Sequence, residues 1–147
     1  DTPVTVATVI LSSPSDWDEW IEVIKTKAIV GKVWKYVDPY IKREDLPSLV
    51  EPSRPTAEDI NKDKAKISQL DVGEKETFRV LQEEYKEDRD LYEKQQSAID
   101  LLRTQIQSSV SRTYLIHTFN CDTTYDILVS LKQRVAPSDD ARKIQLA

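Results

Sequence analysis

The chain has 147 residues, a formal net charge of −5, and 39% hydrophobic against 32% charged residues, which suits one domain or two very small ones with a thin core. With two glycines, tight β-hairpins, barrels and phosphate-cradling loops are not expected. A single cysteine and a single histidine exclude an internal disulfide and a multi-histidine metal centre.

Charge and hydropathy narrow the class further. No basic stripe is present, and residues 71–95 carry 9 acidic against 5 basic side chains, so direct nucleic-acid binding by this chain is not expected. The lone Cys121 fits a reducing compartment. The apolar run 4–11 is too short to span a membrane and lacks the basic start of a signal peptide. Beginning at Asp1 and stopping at Ala147 inside a helical pattern, the chain reads as cut from something longer. Four of the seven prolines, Pro39, Pro47, Pro52 and Pro55, cluster, and none falls between Pro55 and Pro137. This is the layout of an all-α protein with one irregular connection: an N-terminal arm over 1–15 and a single helical domain over 16–147.

In chain order, residues 1–10 are β-branched and uncharged after Asp1, and read as an extended arm packed on the body or on another subunit. Ser13-Pro14-Ser15-Asp16 starts a helix over 16–30, with Asp16, Asp18 and Glu19 complementing the positive end of its dipole. Trp17, Trp20, Ile21, Ile24 and Ala28 form its apolar face, and Gly31 is its stop. A short helix over 31–37 carries Val33, Trp34 and Val37, and ends before Pro39. The proline-rich connection covers 38–55. Thr56-Ala57-Glu58-Asp59 opens a helix of low apolar content over 57–69, with Asp59 in the capping-box position.

The long stretch 74–110 has no proline or glycine, and nearly every residue is a fair helix former. Phe78, Leu81, Tyr85, Tyr92, Ile99, Leu102 and Ile106 lie along one helical face, with Asp88 and Gln95 where two more apolar residues would fall. A straight helix of this span is about 55 Å long. It is therefore expected to break between Asp88 and Gln95, to bend, or to project toward a partner. A short helix over 112–118 follows. A helix over 123–135 then turns Ile127, Leu128, Leu131 and Val135 inward, and a truncated helix covers 140–147. The total is about five to seven helices.

Chemistry-bearing motifs are sparse. His117 and Cys121 lie four residues apart, but no glycine or orienting group surrounds them as a nucleophile pair requires. Asp122-Thr123-Thr124 lacks the glycine of an aspartic-protease turn and reads as a helix cap. The acidic cluster Asp16, Asp18, Glu19 and Glu22 is explained by a helix start. No catalytic, cofactor-binding or metal-ligating residue is expected, and neither is a small-molecule substrate or membrane contact. The expected core is Trp17, Trp20, Ile24, Trp34, Ile99, Leu102, Ile106, Leu128 and Leu131, with Ile99, Leu102 and Ile106 packing on Trp17, Trp20 and Leu128. Phe78, Leu81 and Tyr85 are candidate assembly contacts, the acidic half of the long helix covering the proline-rich loop or reaching a neighbouring subunit.

Four segments carry a resemblance. Leu11 followed by Asp16-Trp17-Asp18-Glu19-Trp20 and Ile24-Lys25 resembles the opening of Gag proteins of copia-type (Pseudoviridae) LTR retrotransposons, of fungal character. Val33-Trp34-Lys35-Tyr36-Val37 is similar to the Trp-x-x-Val element that follows there. Tyr92 with Ala98-Ile99-Asp100-Leu101-Leu102 resembles the next segment, and the run from Thr124 to Lys132 resembles the Thr-Ala-x-Glu-x-Trp-x-x-Leu helix, with Tyr125 in place of Ala and Leu128 in place of Trp. The resemblance implies the N-terminal part of a capsid region, all-α, self-assembling in the cytoplasm into a virus-like particle. RNA would be contacted only through regions outside this chain. The alternative from the residues alone is a coiled-coil scaffold pairing through the 78–106 face.

Overall fold

The computed structural model describes residues 8–138. Six α-helices and four short 3-10 turns make up their regular structure. There is no strand among the described residues. An isolated parallel bridge pairs Leu11 with Val110, the Leu11 amide donating to the Ser109 carbonyl (2.8 Å) and the Ser111 amide to the Leu11 carbonyl (2.9 Å). The all-α expectation holds. The expected helix over 140–147 and residues 1–7 of the expected arm lie outside the described residues.

The described chain clusters into two compact units, where the sequence suggests one helical domain over 16–147. The first contains the residues up to Ser48 and those from Ser97 onward; the second is Leu49–Gln96. One helix, α4, contributes to both.

In the first unit, a 3-10 turn over Pro14–Asp16 leads into α1 (Trp17–Val30). The Asp16 carboxylate accepts from the Ser12 and Ser13 amides (both 3.0 Å), which fixes the entry of the chain. α1 ends in a Schellman arrangement: the Val33 amide donates to the Ala28 carbonyl (2.8 Å) and the Lys32 amide to that of Ile29 (2.9 Å). The left-handed residue of this motif is Lys32, at φ 60°; Gly31 has φ −80°. Gly31 thus ends the helix without using a glycine's conformational freedom. It is needed for space, because a Cβ there would sit 2.8 Å from the Ala98 Cβ.

α2 (Trp34–Val37) follows, shorter than the expected 31–37 because Lys32 interrupts it. Later in the chain come α5 (Arg112–Leu115), a 3-10 turn over Ile116–Thr118, and α6 (Thr124–Val135). Thr123 caps α6, its hydroxyl accepting from the Asp126 amide (3.1 Å). Arg43 pairs with Asp126, and Tyr125 donates to the Ile41 carbonyl (2.6 Å), so the start of the proline-rich connection is tied to α6.

The second unit is built differently. Thr56 begins α3, and its amide donates to the Asp59 carboxylate (2.8 Å) as the local sequence predicts. α3 spans only Ala57–Ile60, not 57–69. Asn61 ends it: its carboxamide accepts from the Asp63 amide (3.0 Å) and donates to Glu74 (3.0 Å), competing for the chain where too little apolar side chain favours a helix.

α4 then runs unbroken over Val72–Ser108, 37 residues. Of the three outcomes open to so long a helix, a break between Asp88 and Gln95 does not occur. Polar residues there weaken packing, but none removes a backbone hydrogen bond as proline would. Its first turn is closed by a reciprocal capping box. The Glu74 amide donates to Asp71 (2.8 Å) and the Asp71 amide to Glu74 (3.0 Å), so Asp71-Val72-Gly73 begins the helix.

Candidate interaction groove

The expected core residues converge. Trp17, Trp20, Ile24, Leu102, Ile106, Leu128 and Leu131 are buried in one cluster with Leu11, Val33, Val37 and Ile127, and Trp34 and Ile99 pack against it half-buried. The Trp17 and Trp20 rings lie 5.5 Å apart at 37°, a tilted pair contributing about 0.5–1.5 kcal/mol beyond its buried area. Each indole finds an acceptor: Trp17 donates to the Tyr40 hydroxyl (3.0 Å) and Trp20 to Ser109 (3.0 Å).

The residues expected to make assembly contacts do something else in part. Phe78 is buried with Ala57 and Leu70, and Ile60 packs beside them, as the core of the second unit. Its side chain is used within the unit, so it is not available to a neighbouring subunit. Leu81 and Tyr85 remain half-buried, with the Arg54 guanidinium over the Tyr85 ring. The acidic half of α4 therefore packs on the segment from Ala57 to Leu70 and, through Arg54, on the end of the proline-rich connection.

His117 and Cys121 do not form a nucleophile pair. The Cys121 thiol donates to the backbone carbonyls of Phe119 (3.6 Å) and His117 (3.9 Å), and the imidazole stacks on Tyr114. Burial pushes the thiol above its ordinary pKa, away from the thiolate that nucleophilic chemistry needs. Among the described residues no group of three His, Cys, Asp or Glu side chains is placed to hold a metal ion. No described helix is long and apolar enough to cross a membrane.

A groove of about 1050 Å³ runs along α1 and the last three turns of α4 in the first unit. Two contacts fix its walls. Gly31 meets Ala98 at one end, and Trp20 bonds Ser109 at the other, so α1 and this part of α4 run antiparallel. Thr8 and Val9 edge the Ser109 end. Val23, Val30, Ala98 and Leu101 supply aliphatic lining beside the buried Trp20, Ile24 and Leu102. Two of these face solvent, with Val30 78% and Leu101 58% exposed. The rim is acidic, with Asp18, Glu19 and Glu22 against Lys27 alone. The volume is about that of the largest typical small-molecule pockets, roughly 1,000 Å³, and the buried polar residue in its lining, Ser109, has its hydroxyl engaged by Trp20 and the Gln105 carbonyl.

Sequence reasoning did not find this groove. Its aliphatic residues are the ones left over when the core stripe has been assigned: Val23 and Val30 lie off the Trp17–Trp20–Ile24 face, and Leu101 is the outward member of the Leu101-Leu102 pair. An apolar surplus beyond the stripe on two helices was the available signal. Compared with known protein families, curated proteins and solved structures, the chain matches none.

Proposed function

We propose that the chain is a structural, self-assembling capsid-type domain, the N-terminal part of a Gag capsid region from a copia-type retrotransposon, that forms a virus-like particle shell in the cytoplasm. One observation carries the reading. The four segments that resemble Gag supply one core: Leu11, Trp17, Trp20 and Ile24 from the first, Val33 and Val37 from the second, Leu102 from the third, and Ile127, Leu128 and Leu131 from the fourth. In this reading the domain acts by presenting surfaces, with no catalytic residue, and element RNA is packaged through regions outside the chain. The coiled-coil alternative needs the 78–106 face of α4 free for a partner helix. Phe78, Leu102 and Ile106 are buried within their own units, which breaks that seam at both ends.

The test is a concentration series by sedimentation velocity with negative-stain microscopy. The expected result is a monomer at low concentration that associates weakly and builds curved or closed assemblies as concentration rises. A monomer at every concentration, or a tight parallel dimer at the lowest, overturns the proposal.

A further inference from the structure

We infer that the α1/α4 groove is a docking site for a cationic amphipathic helix of another protein, one with aliphatic anchors at helical spacing and lysine or arginine along its flanks. The inference does not rest on self-assembly.

Three observations lead to this occupant. First, the groove lies beside two antiparallel helices, and the segment of α1 that borders it, from Asp18 to Gly31, is about 20 Å long. That matches three to four turns of a third helix laid alongside, the helix-in-groove mode with anchors at i, i+3 or i+4, and i+7. Second, the lining residues Val30 and Leu101 are exposed although both sit on well-formed helices, while Leu102 and Ile24 beside them are buried. The core does not need them, and their cost to solubility is offset when aliphatic side chains cover them. Third, the rim is one-signed. Glu19 and Glu22 flank the aliphatic strip on successive turns of α1, Asp18 adds a third carboxylate, and Lys27 is the one cation among the lining residues. A helix with basic flanks meets opposite charge on this rim; a helix with acidic flanks meets like charge and is rejected.

The experiment titrates the whole chain with a synthetic helical peptide whose leucines recur every three and four residues and whose other positions are mostly lysine. A second peptide keeps the leucines and replaces the lysines with glutamate. Binding is read by fluorescence anisotropy, and its location by methyl NMR. The expected result is saturable binding of the lysine peptide alone, weakened by salt, with the largest methyl shifts at Val23, Val30 and Leu101. Leu101→Ser, at an exposed position that leaves the fold intact, is expected to lower affinity about tenfold. Glu19→Lys with Glu22→Lys is expected to lower it at least as much. Reversal of Glu83 and Glu87 to lysine, in the acidic part of the second unit, is expected to leave binding unchanged.

Several results overturn the inference. Equal binding of both peptides removes the basic occupant. Loss of binding in the Glu83/Glu87 variant with the groove variants unaffected shows mere attraction to acidic surface. Concentration-dependent shifts at Val30 and Leu101 without peptide make a second copy of this chain the occupant. Absence of binding by the lysine peptide leaves the groove without the assigned ligand.

Discussion

The two units of this chain are held together by different means. In the first, two tryptophans in tilted contact share one core with thirteen aliphatic side chains, drawn from four helices and the segments beside them, and the polar contacts serve to orient them. In the second, the core is Ala57, Leu70 and Phe78 with Ile60 at its side, and a polar hub supplies what apolar area does not. Glu74 is that hub: it accepts from the Asp71 amide, from Asn61 and from Lys64 (2.5 Å) while its own amide is capped by Asp71. Burial is non-directional and tolerant of repacking; a hub of hydrogen bonds and charge is specific in geometry and sensitive to solvent conditions. The second unit should therefore open first, at a lower free energy than the first.

The sharpest break in this contrast comes from core truncation. Trp17→Ala or Trp20→Ala is expected to cost about 3–5 kcal/mol in urea denaturation, unfolding the first unit. Phe78→Ala removes the largest side chain of the smaller core; its expected cost is nearer the low end, about 3 kcal/mol, confined to 49–96. Hydrogen exchange separates them: amides of α6 stay protected in Phe78→Ala and lose protection in Trp20→Ala. If Phe78→Ala deprotects α6 equally, the division in stability is wrong.

Next in size is Gly31→Ala. Better helix propensity at this position favours the substitution by less than about 1 kcal/mol. Overlap with Ala98 opposes it by about 1–3 kcal/mol, so a net loss is expected. Adding Ala98→Gly should restore part of it in a double-mutant cycle. The adjacent Lys32→Gly is expected to act in the opposite direction, raising stability by about 0.5–1 kcal/mol, because Lys32 holds a left-handed backbone that glycine adopts without a Cβ clash. Thermal melts of the two variants check the sign.

The smallest expected effect is in acid and belongs to the second unit. Hydrogen bonding from Lys64, then from the Asp71 amide and Asn61, holds the Glu74 carboxyl down from the ordinary 4.5 to about 2. A depressed folded-state pKa means the contribution is complete above pH 4.5 and is lost as pH falls toward 2. Protection factors at the start of α4, that is, exchange rates divided into the intrinsic rate at each pH, should fall over that window in the native chain. In Glu74→Gln protection should be lower at neutral pH and unchanged across the window. An acid response unchanged in Glu74→Gln would assign it to another group.

Much of the fold was legible because its signals are local. Trp17, Trp20 and Ile24 at helical spacing, Thr123 before Ile127, and a proline-free run from Gly73 onward each predict their element from neighbouring residues alone. The failures are of two kinds. The helix over 57–69 and the opening of α4 were misread where side chains compete with backbone: Asn61 stops one helix, and Asp71 starts another two residues earlier than composition suggests. The burial of Phe78 and the groove depend on what stands opposite each residue, which spacing along one helix does not encode.

The near-contact of Gly31 with Ala98 has a consequence beyond stability. Gly31 against Ala98 at one end and Trp20 against Ser109 at the other act as two spacers, and the bulk at the first sets how far the helices stand apart there. A single methyl there would change the gauge of the channel while leaving its charge and its aliphatic lining as they are. Selectivity for one helix diameter over another can thus be tuned from a position that carries no side chain at all.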